Sequence, residues 1–160
     1  ARLGGGAFFD GKQMILDRPN KAEVGYLAAF PGSLGKKVLL GSAPQDKACE
    51  LRVTGSIAYE LAMVAKGVLQ YCVVATPRIW DVAAGAIIVK EAGAATLVES
   101  IEQSRWPLFG PQKIWQPLRT FPQCWQSGTT TIKNLRDWST PIVVGNALVA
   151  QKMAESIVIR

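Results

Sequence analysis

The sequence contains no histidine. That absence removes Ser-His and Cys-His catalysis from this chain, together with every metal site built on imidazole. Cysteine is scarce: Cys49, Cys72 and Cys124 are odd in number and far apart, with no CxxC pair. Neither a disulfide scaffold nor a zinc ribbon fits that spacing, and a reducing compartment, cytoplasmic or an organelle stroma, fits it best. No apolar run is long enough to span a bilayer, and no signal peptide or lipidation motif is found. No dense Lys/Arg run with interleaved aromatics occurs, so nucleic acid is not favoured as a partner. Any metal would be held by oxygen, the chemistry of magnesium-like ions. The first residue is Ala1 rather than Met, as expected of a processed protein or a fragment.

What is present points to a folded domain. The chain has 160 residues, of which 49% are hydrophobic, enough for a real core. The net charge is +6 and the pI about 9.4. That excess suits an anionic partner such as a phosphate ester, and equally a solvated surface rich in lysine.

Residues 4–17, "GGGAFFDGKQMILD", predict a β-hairpin, with Asp10-Gly11 as its two-residue turn. Residues 23–30 read as a strand ended by Pro31-Gly32. Residues 33–48 lack periodicity and read as loop with one helical turn. Residues 56–69 have helical spacing: Ile57, Leu61, Val64 and Val68 fall on one face, with Thr54 or Ser56 as N-cap. Residues 71–75 form a short apolar strand, and residues 81–92 a second helix with Gly93 just past its end. A strand follows at 95–98. Residues 141–145 are a buried strand and residues 147–158 a terminal helix. The core candidates are Ile57, Leu61, Val64, Ile87, Val143 and Val144. Strand and helix alternate as in an α/β domain with helices covering a sheet.

Residues 99–139 change character. Four of the five tryptophans and four of the nine prolines lie there. The segment is too aromatic for a disordered linker, and we expect it to pack its tryptophans on the domain or on a partner. Its prolines favour extended pieces over helix.

Two helix starts could carry chemistry. Asp81 stands in the first turn of the second helix, directly after Trp80. Ala84, Gly85 and Ile88 on its side of the helix are small or apolar, while Lys90 and Glu91 mark the solvent side. Asp81 can satisfy free N–H groups and the helix dipole, or face a ligand. At the other start, Gly55 permits close backbone approach and Ser56 adds a hydroxyl, as in an anion-binding helix mouth or a plain capped helix. Two such helices are expected to open on the same edge of the sheet, where open α/β sheets bind ligands.

The motifs "IWDVAAGAIIVKEAGA", "RVTGSIAYELAMVAKGVLQY", "GGGAFFDGKQM" and "PIVVGNALVAQKM" occur in the order found in the inositol monophosphatase family, which the chain resembles over most of its length outside 99–139. The resemblance implies the carboxyl-terminal α-β-α half of that family's layered sandwich, α/β in class. Residues 1–20 would then be a hairpin remnant of the amino-terminal half, and 21–160 a carboxyl-terminal domain with an insertion at 99–139. It further implies a magnesium-dependent, lithium-sensitive phosphatase of small phosphate monoesters. Asp81 matches the aspartate that ligates Mg2+ and lies near substrate hydroxyls; Gly55 and Ser56 match substrate-contacting positions.

The departures are equally specific. The family's metal-binding glutamate and its D-P-I-D-G-T motif do not occur in this chain. Seven residues before Asp81, inositol-specific members carry a hydroxyl-binding glutamate; here Val74 stands. Ala94 replaces the second glycine of E-A-G-G. The chain alone therefore holds no complete catalytic set. Two expectations follow. Joined to an amino-terminal half or partner subunit, it is a phosphatase of a phosphorylated polyol or sugar. Alternatively it is an inactive, family-derived scaffold subunit in an oligomer or larger complex.

Overall fold

The computed structural model describes residues 1–16, 26–30, 38–40, 49–102, 111–118 and 131–159. β1 (Ala7–Phe9) and β2 (Lys12–Met14) pair antiparallel around Asp10-Gly11, as the sequence predicts. Both turn residues have positive φ, 49° and 76°, the geometry that matches the twist of a two-residue hairpin. β3 (Tyr26–Ala29) lies within the strand expected at 23–30. β4 (Val38–Leu40) corrects the expectation of loop and helical turn at 33–48: these three residues form a strand. The remainder of that stretch lies outside the described residues.

β5 (Cys49–Arg52) leads into α1 (Ile57–Ala65), and β6 (Leu69–Val74) leads into α2 (Ile79–Glu91). Ser56, not Thr54, is the N-cap of α1. Helix α1 ends before Val68, so that residue leaves the predicted apolar stripe and is 41% exposed. Gly93, at φ 88°, follows α2 as expected. β7 (Ala95–Glu102) runs four residues past the predicted strand and turns back as β8 (Gln112–Pro117). After α3 (Ile132–Asp137) come β9 (Ile142–Gly145), α4 (Ala147–Ser156) and β10 (Ile157–Ile159). The terminal helix thus stops at Ser156, not 158. The last residues pair antiparallel with β4, because β-branched Ile157, Val158 and Ile159 suit a strand better than a helix end.

Six strands form one mixed sheet in the order β5-β3-β6-β9-β7-β8. β5 and β6 both run parallel to β3, while β9, β7 and β8 alternate antiparallel. All six residues of β6 are buried, as a strand covered on both faces requires. Side chains alternate between two cores. Cys72, Val74, Ile142 and Val144 face α1 and α2, packing on Leu61, Val64, Val82 and Val89. Tyr71, Val73, Val143 and Leu97 face the opposite way, onto Phe30 and the α4 residues Val149, Ala150 and Ala154. The result is a three-layer α/β/α arrangement. Of the core candidates, Leu61, Val64, Val143 and Val144 are buried; Ile57 and Ile87 are only half-buried, because they sit at the margin of the helix faces.

The described part of 99–139 extends the sheet rather than only lying over it. Trp115 on β8 is half-buried against the α4-side core, and Trp138, just after α3, is buried in the other. Trp106 and Trp125 lie outside the described residues. The helix α3 departs from the expectation of extended pieces alone. It lies in a stretch free of proline and begins at the N-cap Thr131, whose side chain accepts from the Asn134 N–H.

Glu91 corrects a further expectation, since it does not simply mark solvent. Its Oε1 accepts from the Gly4 N–H and its Oε2 from the Gly6 N–H, both at 2.9 Å. The Leu16 N–H donates to the Ala92 carbonyl at 2.8 Å. The hairpin is thereby tied to the carboxyl-terminal end of α2 from both of its ends. The bonds from Gly4 and then Gly6 hold the Glu91 carboxyl below its ordinary value of 4.5, aided by Lys90 and the chain's amino terminus against a smaller desolvation effect. A carboxylate with a lowered folded pKa stabilises docking above its ordinary pKa, and loses that contribution as pH falls through the lowered value. Hydrogen-exchange protection of the Gly4 and Gly6 amides should therefore be high near neutral pH and drop below about pH 4.5. In Glu91→Ala it should be low throughout. Unchanged protection in that variant would show that Glu91 does not anchor the hairpin.

Candidate functional site

Because β5 and β6 are parallel, the helices that follow them start at the same edge of the sheet, as the sequence predicts. A cleft of about 180 Å³ opens at the start of α1. Its walls are Phe30 after β3, Val53, Gly55, Ser56, Ile57 and Glu60 around the helix start, and Val73 to Thr76 at the end of β6. Gly55 and Ser56 both line it.

Gly55 has φ 78° and nothing within 4 Å of where a Cβ would sit, so glycine is needed there for backbone conformation and not for space. The turn it makes presents Ser56 as N-cap, with Oγ accepting from the Tyr59 N–H at 3.4 Å. Glu60, one turn on, is 4% exposed although charged. Its Oε1 accepts from Thr54 twice, from Oγ1 at 2.7 Å and from the N–H at 3.3 Å. Thr54 Oγ1 in turn accepts from the Ser56 N–H at 3.3 Å. Thr54, Ser56 and Glu60 thus form one polar network that fixes the helix mouth. Burial, and then the Glu60 charge, push the thiol of buried Cys72 well above its ordinary range, which leaves it a packing residue rather than a nucleophile.

Glu60 was not singled out as a site residue from sequence, yet its signal was there. It lies three positions after Ile57 and four before Val64, on the apolar stripe, where a carboxylate needs a reason.

Asp81 is half-buried and does not line this cleft. Its Oδ2 accepts from the Arg78 N–H at 3.3 Å, which is the capping use open to a third-position acid. Arg78 Nη1 donates to the Arg136 carbonyl at 3.3 Å, holding the end of α3 beside the start of α2. Trp80 is 63% exposed next to it. The predicted residues therefore divide. Gly55 and Ser56 share a cavity, while Asp81 stands at the neighbouring helix start. Val74 lines the Ser56 cleft but offers no acceptor.

Divalent ions of the magnesium type need several oxygen ligands. Among the described residues no group of three or more Cys, Asp or Glu side chains is close enough to hold a metal ion. Asp81 alone does not fit such an ion.

The three-layer α/β/α fold is that of solved inositol monophosphatases. Residues 1–113 match the family model of the inositol monophosphatase family. The chain belongs to that family. A fructose-1,6-bisphosphatase/inositol-1-monophosphatase of Thermotoga maritima is 34% identical over 95 residues, which are 58% of this chain and 36% of that protein. Inositol monophosphatase II of Staphylococcus aureus, solved with inositol monophosphate bound, superposes with a TM-score of 0.58 at 21% identity. The superposition covers 97% of this chain and 49% of that one. The extragenic suppressor protein suhB of Bartonella henselae gives a TM-score of 0.59 at 20% identity, covering 98% and 51%. The chain thus spans about half the length of the solved relatives. Among the described residues no helix is long and apolar enough to cross a membrane.

Magnesium titrated into the 160-residue chain should give no tight site by calorimetry. A tight site abolished by Asp81→Asn would contradict this reading of the geometry.

Proposed function

We propose that this chain supplies the polyol-binding half of a phosphomonoesterase, acting when joined to the half of the relatives' length that it does not span. The observation that carries the reading is the pair of helix starts at one sheet edge, with Gly55 and Ser56 on a cleft and Asp81 at the neighbouring start. In this role Gly55 lets the substrate approach the backbone, and Ser56 orients it by its hydroxyl. Asp81 contributes one carboxylate to a magnesium site that acidic groups elsewhere complete. The substrate class is a small phosphorylated polyol or sugar, in keeping with the inositol monophosphate held by the staphylococcal relative. Domains divide on this reading at about residue 20, with the hairpin belonging to the sheet of the other half.

A second reading, an inactive scaffold subunit, is favoured by one observation, the lack of an acidic cluster among the described residues. One experiment separates the two. The chain is mixed with the amino-terminal half of the Thermotoga relative, and phosphate release from inositol 1-phosphate is measured with magnesium present. The chain alone should give none. The mixture should give activity that Asp81→Asn lowers by about a hundredfold or more, at least the effect of losing a group that orients a metal. Association without phosphate release would support the scaffold reading instead.

A further inference from the structure

Glu60 is 4% exposed, lines the α1 cleft, and among the described residues uses only one of its carboxylate oxygens. Oε1 takes both Thr54 bonds. Among the described residues Oε2 has no hydrogen-bond donor, and Glu60 has no lysine or arginine within ion-pairing distance. An ionised carboxylate can accept about four hydrogen bonds, and leaving a buried acceptor unpaired is costly. Among the described residues, then, Oε2 is an acceptor without a donor, on a side chain that lines a concave site.

The charge of Glu60 also decides which end of a phosphate ester the cleft can take. An open helix start attracts anions through its free N–H groups and dipole. Here a carboxylate in the first turn already answers that potential, so a phosphate brought beside it would meet like charge at short range. Neutral hydroxyl groups meet no such barrier and supply the donors that Oε2 lacks. Beside the hydroxyls of Ser56 and Thr76, the walls carry the apolar side chains of Phe30, Val53, Ile57, Val73 and Val74. They suit the C–H faces of a ring or short carbon chain, and the volume, below the roughly 300 Å³ of drug-sized pockets, restricts the guest to a small one.

We propose that Glu60 is a specificity-determining residue: its Oε2 accepts a hydroxyl of the substrate, so that the α1 cleft holds the neutral polyol end and excludes the phosphate. The proposal rests on the function argued above, but its test does not require hydrolysis. The isotope-labelled chain is titrated with myo-inositol and, separately, with inorganic phosphate, following the amides of Gly55, Ser56 and Thr76. Myo-inositol should shift them and phosphate at equal concentration should not. Glu60→Gln keeps an acceptor for Thr54 but removes the charge, and should weaken inositol binding by about tenfold, the size of one hydrogen bond to a charged acceptor. It should also let phosphate compete. The two arms on the unmodified chain need no variant, so a variant that fails to fold does not stall the test. The proposal is overturned by phosphate binding at this cleft in the unmodified chain, by absence of inositol binding, or by a folded Glu60→Gln that binds inositol equally well. Glu60-dependent inositol binding without phosphate release in the complementation assay would keep this inference and sink the phosphatase reading. Phosphate release with no role for Glu60 would do the reverse.

Discussion

The two helices that carry the site are held together by a missing side chain. A Cβ on Gly85 would meet Leu61 Cδ1 at 2.4 Å and Leu61 Cβ at 2.9 Å, distances that real contacts do not reach. Leu61 of α1 therefore occupies the space that any other residue of α2 would need. Gly85 stands one turn after Asp81, inside the same Trp-Asp-Val-Ala-Ala-Gly stretch, so one short motif sets both the acid at the helix start and the separation of the two helices. Leu61 and its neighbours Val64 and Val82 then close over Cys72, Val74 and Val144 of the sheet. With interiors packed to crystal density, this contact leaves little freedom in where either helix begins.

Polar groups do the rest of the positioning, and two glutamates carry most of it. Glu60 ties the loop before α1 to the helix through Thr54, and Glu91 ties the hairpin to the end of α2 through Gly4 and Gly6. An isolated two-stranded hairpin is marginal in water, and this one leaves Phe8 and Phe9 about half exposed. Its bonds to α2 and the packing of Ala7 and Met14 into the core hold it to the domain. Lys66 adds one more link, its ammonium lying 3.8 Å from the centre of the Phe9 ring.

Much of this was legible in the sequence, where the signals are local. The Asp-Gly turn, the spacing of Ile57, Leu61 and Val64, the apolar run in β6 and Gly93 after α2 each act through neighbours a few residues away. Helical spacing and capping residues placed Gly55, Ser56 and Asp81 at helix starts expected to share one edge. What could not be read was set by distant partners. β4 and β10 pair across more than a hundred residues and carry no pattern beyond three apolar side chains each. The length of β7 depends on β8 returning beside it, with Glu99 opposite Trp115. Glu91 looked like a solvent residue because its partners are backbone amides at the other end of the chain. Glu60 was legible in principle, as a charge on an apolar stripe, but its meaning required the cleft.

The position of the helix pair depends on the close approach of α1 and α2 at Gly85, and a double-mutant cycle in urea tests this most directly. Gly85→Ala alone should destabilise the fold by about 1–3 kcal/mol, the range for overpacking, even though alanine is the better helix former. With Leu61→Ala already present, the Cδ1 contact is gone and only the 2.9 Å approach to Cβ remains, so the cost should be clearly smaller, giving a measurable coupling energy. An equal cost of Gly85→Ala in both backgrounds, or no cost in either, would contradict the claim that the absent side chain at position 85 sets the helix pair.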